Sequence, residues 1–190
     1  GRLAYLRGNA DAAYADRANR CRRHVLFLKP HSCLVLIDEF VASPAVASAL
    51  QWNIHSWNPF TVDHDARTFL LQRDGSLLRG HMMYHRNAFF SLSEGWDPPP
   101  TKTRDASLWV QQYHLRFTTS GFPPKRNLGV VLCPGHAGLT PASVATERVQ
   151  NAEVARIGDD LVLVSQADSM DYNNLRTDAL ALLVLQGHRY

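Results

Sequence analysis

The chain lacks any long apolar run. Its most apolar stretch, residues 179–185, is strand-sized and well short of the roughly 18 to 20 residues that cross a bilayer as a helix. No GxSxG, Walker-type loop, HExxH or paired-glycine nucleotide fingerprint occurs, which removes the usual sequence evidence for serine hydrolases, nucleotide enzymes and zinc proteases. Cysteine is sparse. Cys21, Cys33 and Cys133 are odd in number and without CxxC spacing, so they read as small buried hydrophobes and not as a disulfide framework or a zinc knuckle. The net charge of +3 comes without a Lys/Arg block of nucleic-acid type, so no nucleic-acid partner is expected. Arg20, Arg22 and Arg23 form the densest basic cluster and read as the solvated face of a strand. The first residues, Gly1-Arg2-Leu3-Ala4-Tyr5, have neither an initiating Met nor a signal-peptide layout, which leads us to expect a chain cut from a longer precursor.

What the sequence does have is a meander. At 190 residues, with 45% hydrophobic and 19% charged side chains, it can bury one core and should fold as one domain. From Arg20 onward, short runs rich in Val, Leu, Ile and Phe alternate with turns. Strands are expected at 24–28, 33–41, 50–57, 68–72, 77–84, 87–93, 108–118, 128–132, 148–157, 161–166 and 180–186. Asp74-Gly75, tolerant of positive φ, marks a tight hairpin, and Gly158-Asp159 marks another. Pro98, Pro99 and Pro100 supply no N–H groups and place a loop there, and residues 135–140 also read as loop. Residues 11–19 are expected to form a short helix. With no fixed-period repeat and few helix-length segments, the expected fold is an all-β, antiparallel two-sheet sandwich with minor helical content.

Several residues are candidates for chemistry. His81 and His85 are four apart, but in a strand that spacing separates them by about 13 Å along one face, too far for one ion, and no metal site is assigned. In Tyr113-His114-Leu115-Arg116 the phenol and the imidazole fall on opposite faces of a strand, with Arg116 on the side of His114. A Tyr and a His can serve as acid and base in proton abstraction from a sugar acid, and an Arg can neutralise its carboxylate. The same pattern also describes a core Tyr beside a half-exposed His and Arg, and the residues alone leave both readings open. Trp52 and Trp109 read as core, whereas Trp57 and Trp96 read as solvent-accessible faces on which sugar rings can stack.

An ordered set of short segments carries a likeness: Ala4-Tyr5-Leu6-Arg7-Gly8-Asn9-Ala10-Asp11-Ala12-Ala13-Tyr14, then Arg22-Arg23-His24-Val25-Leu26-Phe27-Leu28-Lys29-Pro30, residues 34–38, and Trp52-Asn53-Ile54-His55-Ser56. Gly95-Trp96-Asp97-Pro98-Pro99, Tyr113-His114-Leu115-Arg116 and residues 128–132 continue it over most of the chain. In this order the sequence resembles the C-terminal β-sandwich region of heparinase II/III-type polysaccharide lyases, with Asn9 where Asp is commoner. The resemblance implies uronic-acid-containing substrates of glycosaminoglycan or alginate type, cleaved by β-elimination. It also implies a periplasmic or secreted setting, and an N-terminal helical toroid that supplies much of the catalytic set. The family's "GHxHxD" stretch and the zinc ligands of some of its members match no residue here, so no cofactor is expected in this chain; for the full-length protein the resemblance leaves a divalent metal such as zinc open. In the "W-x-x-H" strand the resemblance singles out His55, as a cleft-facing group or a structural one. Asp38 reads as a strand-end hydrogen-bond acceptor. The expected function is thus a β-sandwich domain of a lyase, a fragment covering 1–190 that acts with its missing helical domain on an anionic polysaccharide. A non-catalytic carbohydrate-binding or interaction module is the alternative. A compact enzyme around His55, His81, His85, Tyr113, His114 and Arg116 is a third reading.

Overall fold

A computed structural model describes residues 1–44, 49–96, 110–120, 125–136, 138, 141–172 and 174–185. Sixteen strands occur among them: β1 (Leu3–Asn9), β2 (Ala18–Leu28), β3 (Cys33–Ala42), β4 (Gln51–Ser56), β5 (Phe60–Asp63), β6 (Thr68–Arg73), β7 (Ser76–Met82) and β8 (Ala88–Glu94). The others are β9 (Tyr113–Thr119), β10 (Lys125–His136), β11 (Val144–Val149), β12 (Ala152–Ile157), β13 (Asp160–Ser165), β14 (Met170–Tyr172), β15 (Leu175–Thr177) and β16 (Ala181–Val184). They form a seven-stranded sheet β1-β2-β3-β10-β7-β6-β5, a four-stranded sheet β11-β12-β13-β16, a three-stranded sheet β4-β9-β8 and the small hairpin β14-β15. Every pairing is antiparallel.

The seven-stranded sheet is the middle layer, and alternation along its strands shows why. On β10, Val131 and Cys133 join a core cluster with Ala155, Ile157, Val162 and Val164 of the four-stranded sheet. Leu128 and Val130, of the opposite parity along the strand, join a second cluster with Trp52, Phe90, Leu115 and Phe117 of the three-stranded sheet. Successive side chains on a strand point to opposite faces. A strand buried on both faces therefore reads as a continuous apolar run, as 128–132 does. The all-β sandwich expected from the sequence is present, with more sheets than two. A third cluster, around Val154, Leu163 and Met170, lies on the other face of the four-stranded sheet.

Asp74 (φ 47°) and Gly75 (φ 78°) turn β6 into β7, both in the left-handed region that a tight hairpin of mirror-image type requires. Gly158 (φ 57°) begins the turn from β12 to β13. Several expectations are corrected. The helix at 11–19 shrinks to a single 3-10 turn, Asp11–Tyr14, because a strand claims the residues from Ala18. β1 and β5 were not anticipated. The strand expected at 148–157 breaks at Gln150 (φ 49°) and Asn151, making the hairpin β11-β12, and β10 runs on to His136 through part of the expected loop. His85 lies beyond the end of β7, so it and His81 do not share one strand. Trp109, Pro98, Pro99, Pro100, the start of the strand at 108 and residue 186 lie outside the described residues.

Two further corrections concern chemistry. Cys33 and Cys133, 100 residues apart with Cα atoms 4.6 Å apart, form a disulfide; only Cys21 is free. β10 pairs beside β3, with Leu132 opposite Leu34, and this adjacency brings the two thiols together. The arginines of β2 are ion-paired and not merely solvated. Arg20 donates to Glu39 (2.7 Å), Arg22 donates from Nε (3.1 Å) and Nη2 (2.8 Å) to Asp11, and Arg23 donates from Nε (2.6 Å) and Nη2 (2.7 Å) to Asp38. Asp38 is an acceptor, as expected, but from mid-strand and across the sheet. The Cys21 amide and the Arg22 side chain together hold the Asp11 carboxyl below the usual carboxylate range.

Candidate functional site

Core packing decides which residues the three-stranded sheet shows to solvent. Trp52, Phe90, Leu115 and Phe117 point inward, so their neighbours in sequence point outward. The register sets the outward residues in rows across β4, β9 and β8: Gln51, Thr118 and Phe89; Asn53, Arg116 and Ser91; His55, His114 and Ser93. Arg116 carries the fixed charge of these rows.

The third row is the most organised. The His55 and His114 rings lie 4.1 Å apart, tilted by 51°. His114 is 3% exposed, whereas His55 is exposed. The buried ring donates from Nε2 to the Gly95 carbonyl at 2.6 Å, and the Gly95 amide donates to the Gln112 carbonyl at 2.8 Å. Gly95 takes a φ of 94°, in the region that glycine occupies at least cost. In this arrangement the His114 ring is buried and held, and the His55 imidazole is the one that faces solvent. Arg116 donates from Nη1 to Ser93 Oγ at 3.3 Å, which steadies a guanidinium beside Asn53 and Ser91.

Tyr113 sits on the opposite side of β9, half-buried against the aromatic cluster and in register with Ser56 and Glu94. His55, His114 and Arg116 therefore share one face and Tyr113 does not join them. Trp57, just past β4, is 56% exposed with the Arg73 guanidinium 5.0 Å from its ring centroid. Trp96 is 39% exposed and donates from Nε1 to the Val110 carbonyl at 3.2 Å. Both tryptophans expected to be solvent-accessible are so, and Trp52, at 3% exposure, is core. Asn53, Ser91, Ser93 and the 53%-exposed Phe89 were not singled out from sequence. Period-two alternation through 87–93 and 113–118 was the signal that could have placed them.

His81 and His85 diverge. His85 meets the Met83 carbonyl (2.7 Å) and the Glu153 carboxylate (2.8 Å) through Nδ1 and Thr146 Oγ1 (3.1 Å) through Nε2. His81 lies in the wall of a different cleft. Among the described residues no group of three or more His, Cys, Asp or Glu side chains is placed to hold a metal ion. No helix among them is long and apolar enough to cross a membrane.

No protein-family profile and no curated protein matches the chain. Solved structures do. A heparinase III matches over 97% of this chain and 26% of its own, with a TM-score of 0.63 and 14% identity. A heparan sulfate lyase, HepC from Pedobacter heparinus, matches over 100% of this chain and 27% of its own, with a TM-score of 0.59 and 13% identity. The chain has the fold of one part of these proteins and spans about a quarter of their length.

Proposed function

We propose that this chain is the β-sandwich part of a polysaccharide lyase that cleaves uronic-acid-containing chains, of glycosaminoglycan or alginate type, by β-elimination. The observation that carries this reading is the fold likeness, which takes in the whole chain and leaves about three quarters of each matched lyase for other domains. In β-elimination a base removes the proton beside the uronate carboxylate, and that carboxylate must be neutralised as charge spreads onto it. The outer face of β4-β9-β8 suits the second task. Arg116 pairs with a carboxylate or sulfate, His55 and Asn53 hydrogen-bond hydroxyls, and Trp57 and Trp96 offer faces for sugar rings. Tyr113 lies on the other side of the sheet, so the proton-abstracting group is assigned to a helical catalytic domain and this chain to support and to one wall of the substrate cleft. The Cys33–Cys133 disulfide favours an oxidising compartment, periplasmic or extracellular.

The exposure of Trp57 and Trp96 also favours the alternative, a non-catalytic carbohydrate-binding module. One assay separates the two: ultraviolet absorbance of the unsaturated uronate product, from heparan sulfate and from alginate, for this chain alone and for the full encoded protein. Cleavage by the full protein but not by this chain is the expected result. Turnover by the chain alone would overturn the division of labour. Binding without cleavage by the full protein would leave the binding module.

A further inference from the structure

A second concavity, of about 950 Å³, lies on the other side of the middle sheet, away from the His55 and Arg116 face. One wall is β6 and β7, with Thr68, Leu70, Arg79 and His81. The other is β11, the edge strand of the four-stranded sheet, with Val144 and Thr146. These two face inward because they pair with Ile157 and Ala155, whose side chains fill the core between the sheets. The β5-β6 turn closes one end, where the Ala66 amide donates to Asp63 Oδ1 at 2.8 Å. Thr146 is held from behind by His85, itself fastened to the buried Glu153.

His81 makes this cleft more than a gap. It is 9% exposed; its Nε2 is covered and has no hydrogen-bond partner among the described residues, so the ring nitrogen that a ligand in the cleft can reach is Nδ1. Burial, with Arg79 beside it, lowers its pKa to about 4, so the ring is neutral at ordinary pH and one nitrogen stays an acceptor. The polar lining is mixed: the carboxylates of Asp63 and Asp65, one guanidinium, imidazoles and the hydroxyls of Thr61, Thr68 and Thr146, with Val62, Leu70 and Val144 between them. This set carries no surplus of positive charge, unlike the Arg116 face. It can accept from hydroxyl groups at carboxylate and imidazole, donate to ring oxygens from Arg79, and leave apolar surface for C–H faces.

We propose that the cleft between β6-β7 and β11 is a second saccharide site, taking a neutral, hydroxyl-rich sugar unit that hydrogen-bonds His81 and Arg79. The ligand class rests on the carbohydrate reading above; the site and its preference for an uncharged unit do not. The test is an amide NMR titration of the full chain with chitotetraose and, separately, with a heparin tetrasaccharide. Chitotetraose is expected to give saturable shifts at residues 63–66, 79–81 and 144–146, weakened at least tenfold in His81→Phe and in Arg79→Ala. The heparin tetrasaccharide is expected to shift Asn53, His55 and Arg116 instead. Those two regions report independently, so failure of the Arg116 face to bind an anion leaves the cleft decided on its own signals. Absence of saturable shifts in the cleft, unchanged binding in Arg79→Ala, or tighter binding of heparin there would overturn the proposal. Should His81→Phe fail to fold, the exposed Arg79→Ala variant decides it.

Discussion

The two faces of the middle sheet are filled by different chemistry. Toward the four-stranded sheet the core is aliphatic, with Val35, Ile37, Val131, Ile157, Val162 and Val164 around the Cys33–Cys133 disulfide. Toward the three-stranded sheet it is aromatic. Phe69 is its hub, with ring centroids 5.8 Å from Trp52, 5.9 Å from Phe60 and 6.4 Å from Phe90, and Phe90 in turn lies 4.9 Å from Phe117. Aliphatic side chains give little directional constraint, whereas ring pairs prefer edge-on and offset geometries. The difference teaches a division of roles. A covalent link fixes two strands beneath the aliphatic layer, while a shape-specific aromatic layer carries the sheet that presents His55, Asn53 and Arg116.

Removing the link is expected to have the largest effect. Closing a loop of roughly 100 residues in the unfolded chain is worth about 4 to 5 kcal/mol in the chain-entropy account. The pair Cys33→Ala and Cys133→Ala should therefore lose about 4 kcal/mol in urea denaturation, with the heparin-induced shifts at Asn53 and Arg116 kept at low denaturant. A loss below about 1 kcal/mol would show that the aliphatic layer holds without its covalent tie.

The glycines sharpen the comparison further. A Cβ at Gly80 would lie 2.1 Å from the Phe69 ring, and one at Gly129 would lie 2.6 Å from Met83 Sδ. A rigid ring locked among its neighbours cannot yield, but an unbranched thioether can swing aside. Gly80→Ala is expected to cost about 3 kcal/mol and Gly129→Ala about 1 kcal/mol, both read as shifts in the urea midpoint. Equal costs would erase the distinction between a shape-specific layer and an adaptable one.

The same contrast governs what the sequence could reveal. Alternation through 50–57 and 113–118 showed which side chains of the outer sheet face the core, because one of its faces is solvated. Asp74-Gly75 showed its turn because both residues tolerate positive φ. The Cys33–Cys133 pairing was invisible, since it depends on β3 lying beside β10 and no local pattern encodes a neighbour about 100 residues away. The break at Gln150 was missed because glutamine carries no turn preference of its own. The ion pairs of Arg20, Arg22 and Arg23 were missed because each acceptor is remote in sequence. His55, His114 and Arg116 were legible as residues, but their shared row required the β4-β9 register. The His81 cleft lies between two sheets, and strand patterns say nothing about the space between layers.

The smallest effect is also the one that tests the aliphatic side at its polar margin. Burial, with Arg79 beside it, lowers the His81 pKa to about 4 in the fold, against 6.5 for the free side chain. Between those values the unfolded chain takes up a proton that the folded chain refuses, so stability falls as the pH drops from 6.5 toward 4, and His81 adds no further dependence below that. The full shift would be worth about 3 kcal/mol, and solvent access along the cleft reduces it to about 1 kcal/mol. Burial lowers His24 as well, so the protein as a whole should lose more than this over the same window. The His81 share is isolated by His81→Phe, which removes the titrating ring and fills its space with an apolar one. Urea melts at pH 4.5 and pH 7.5 should differ by about 1 kcal/mol less in this variant than in the parent. The variant should also be no less stable at pH 7.5, since the ring it replaces leaves Nε2 buried without a partner. An unchanged pH dependence would mean that His81 takes up its proton in the folded state as readily as in the unfolded chain, and that burial in the cleft wall costs the charged ring nothing.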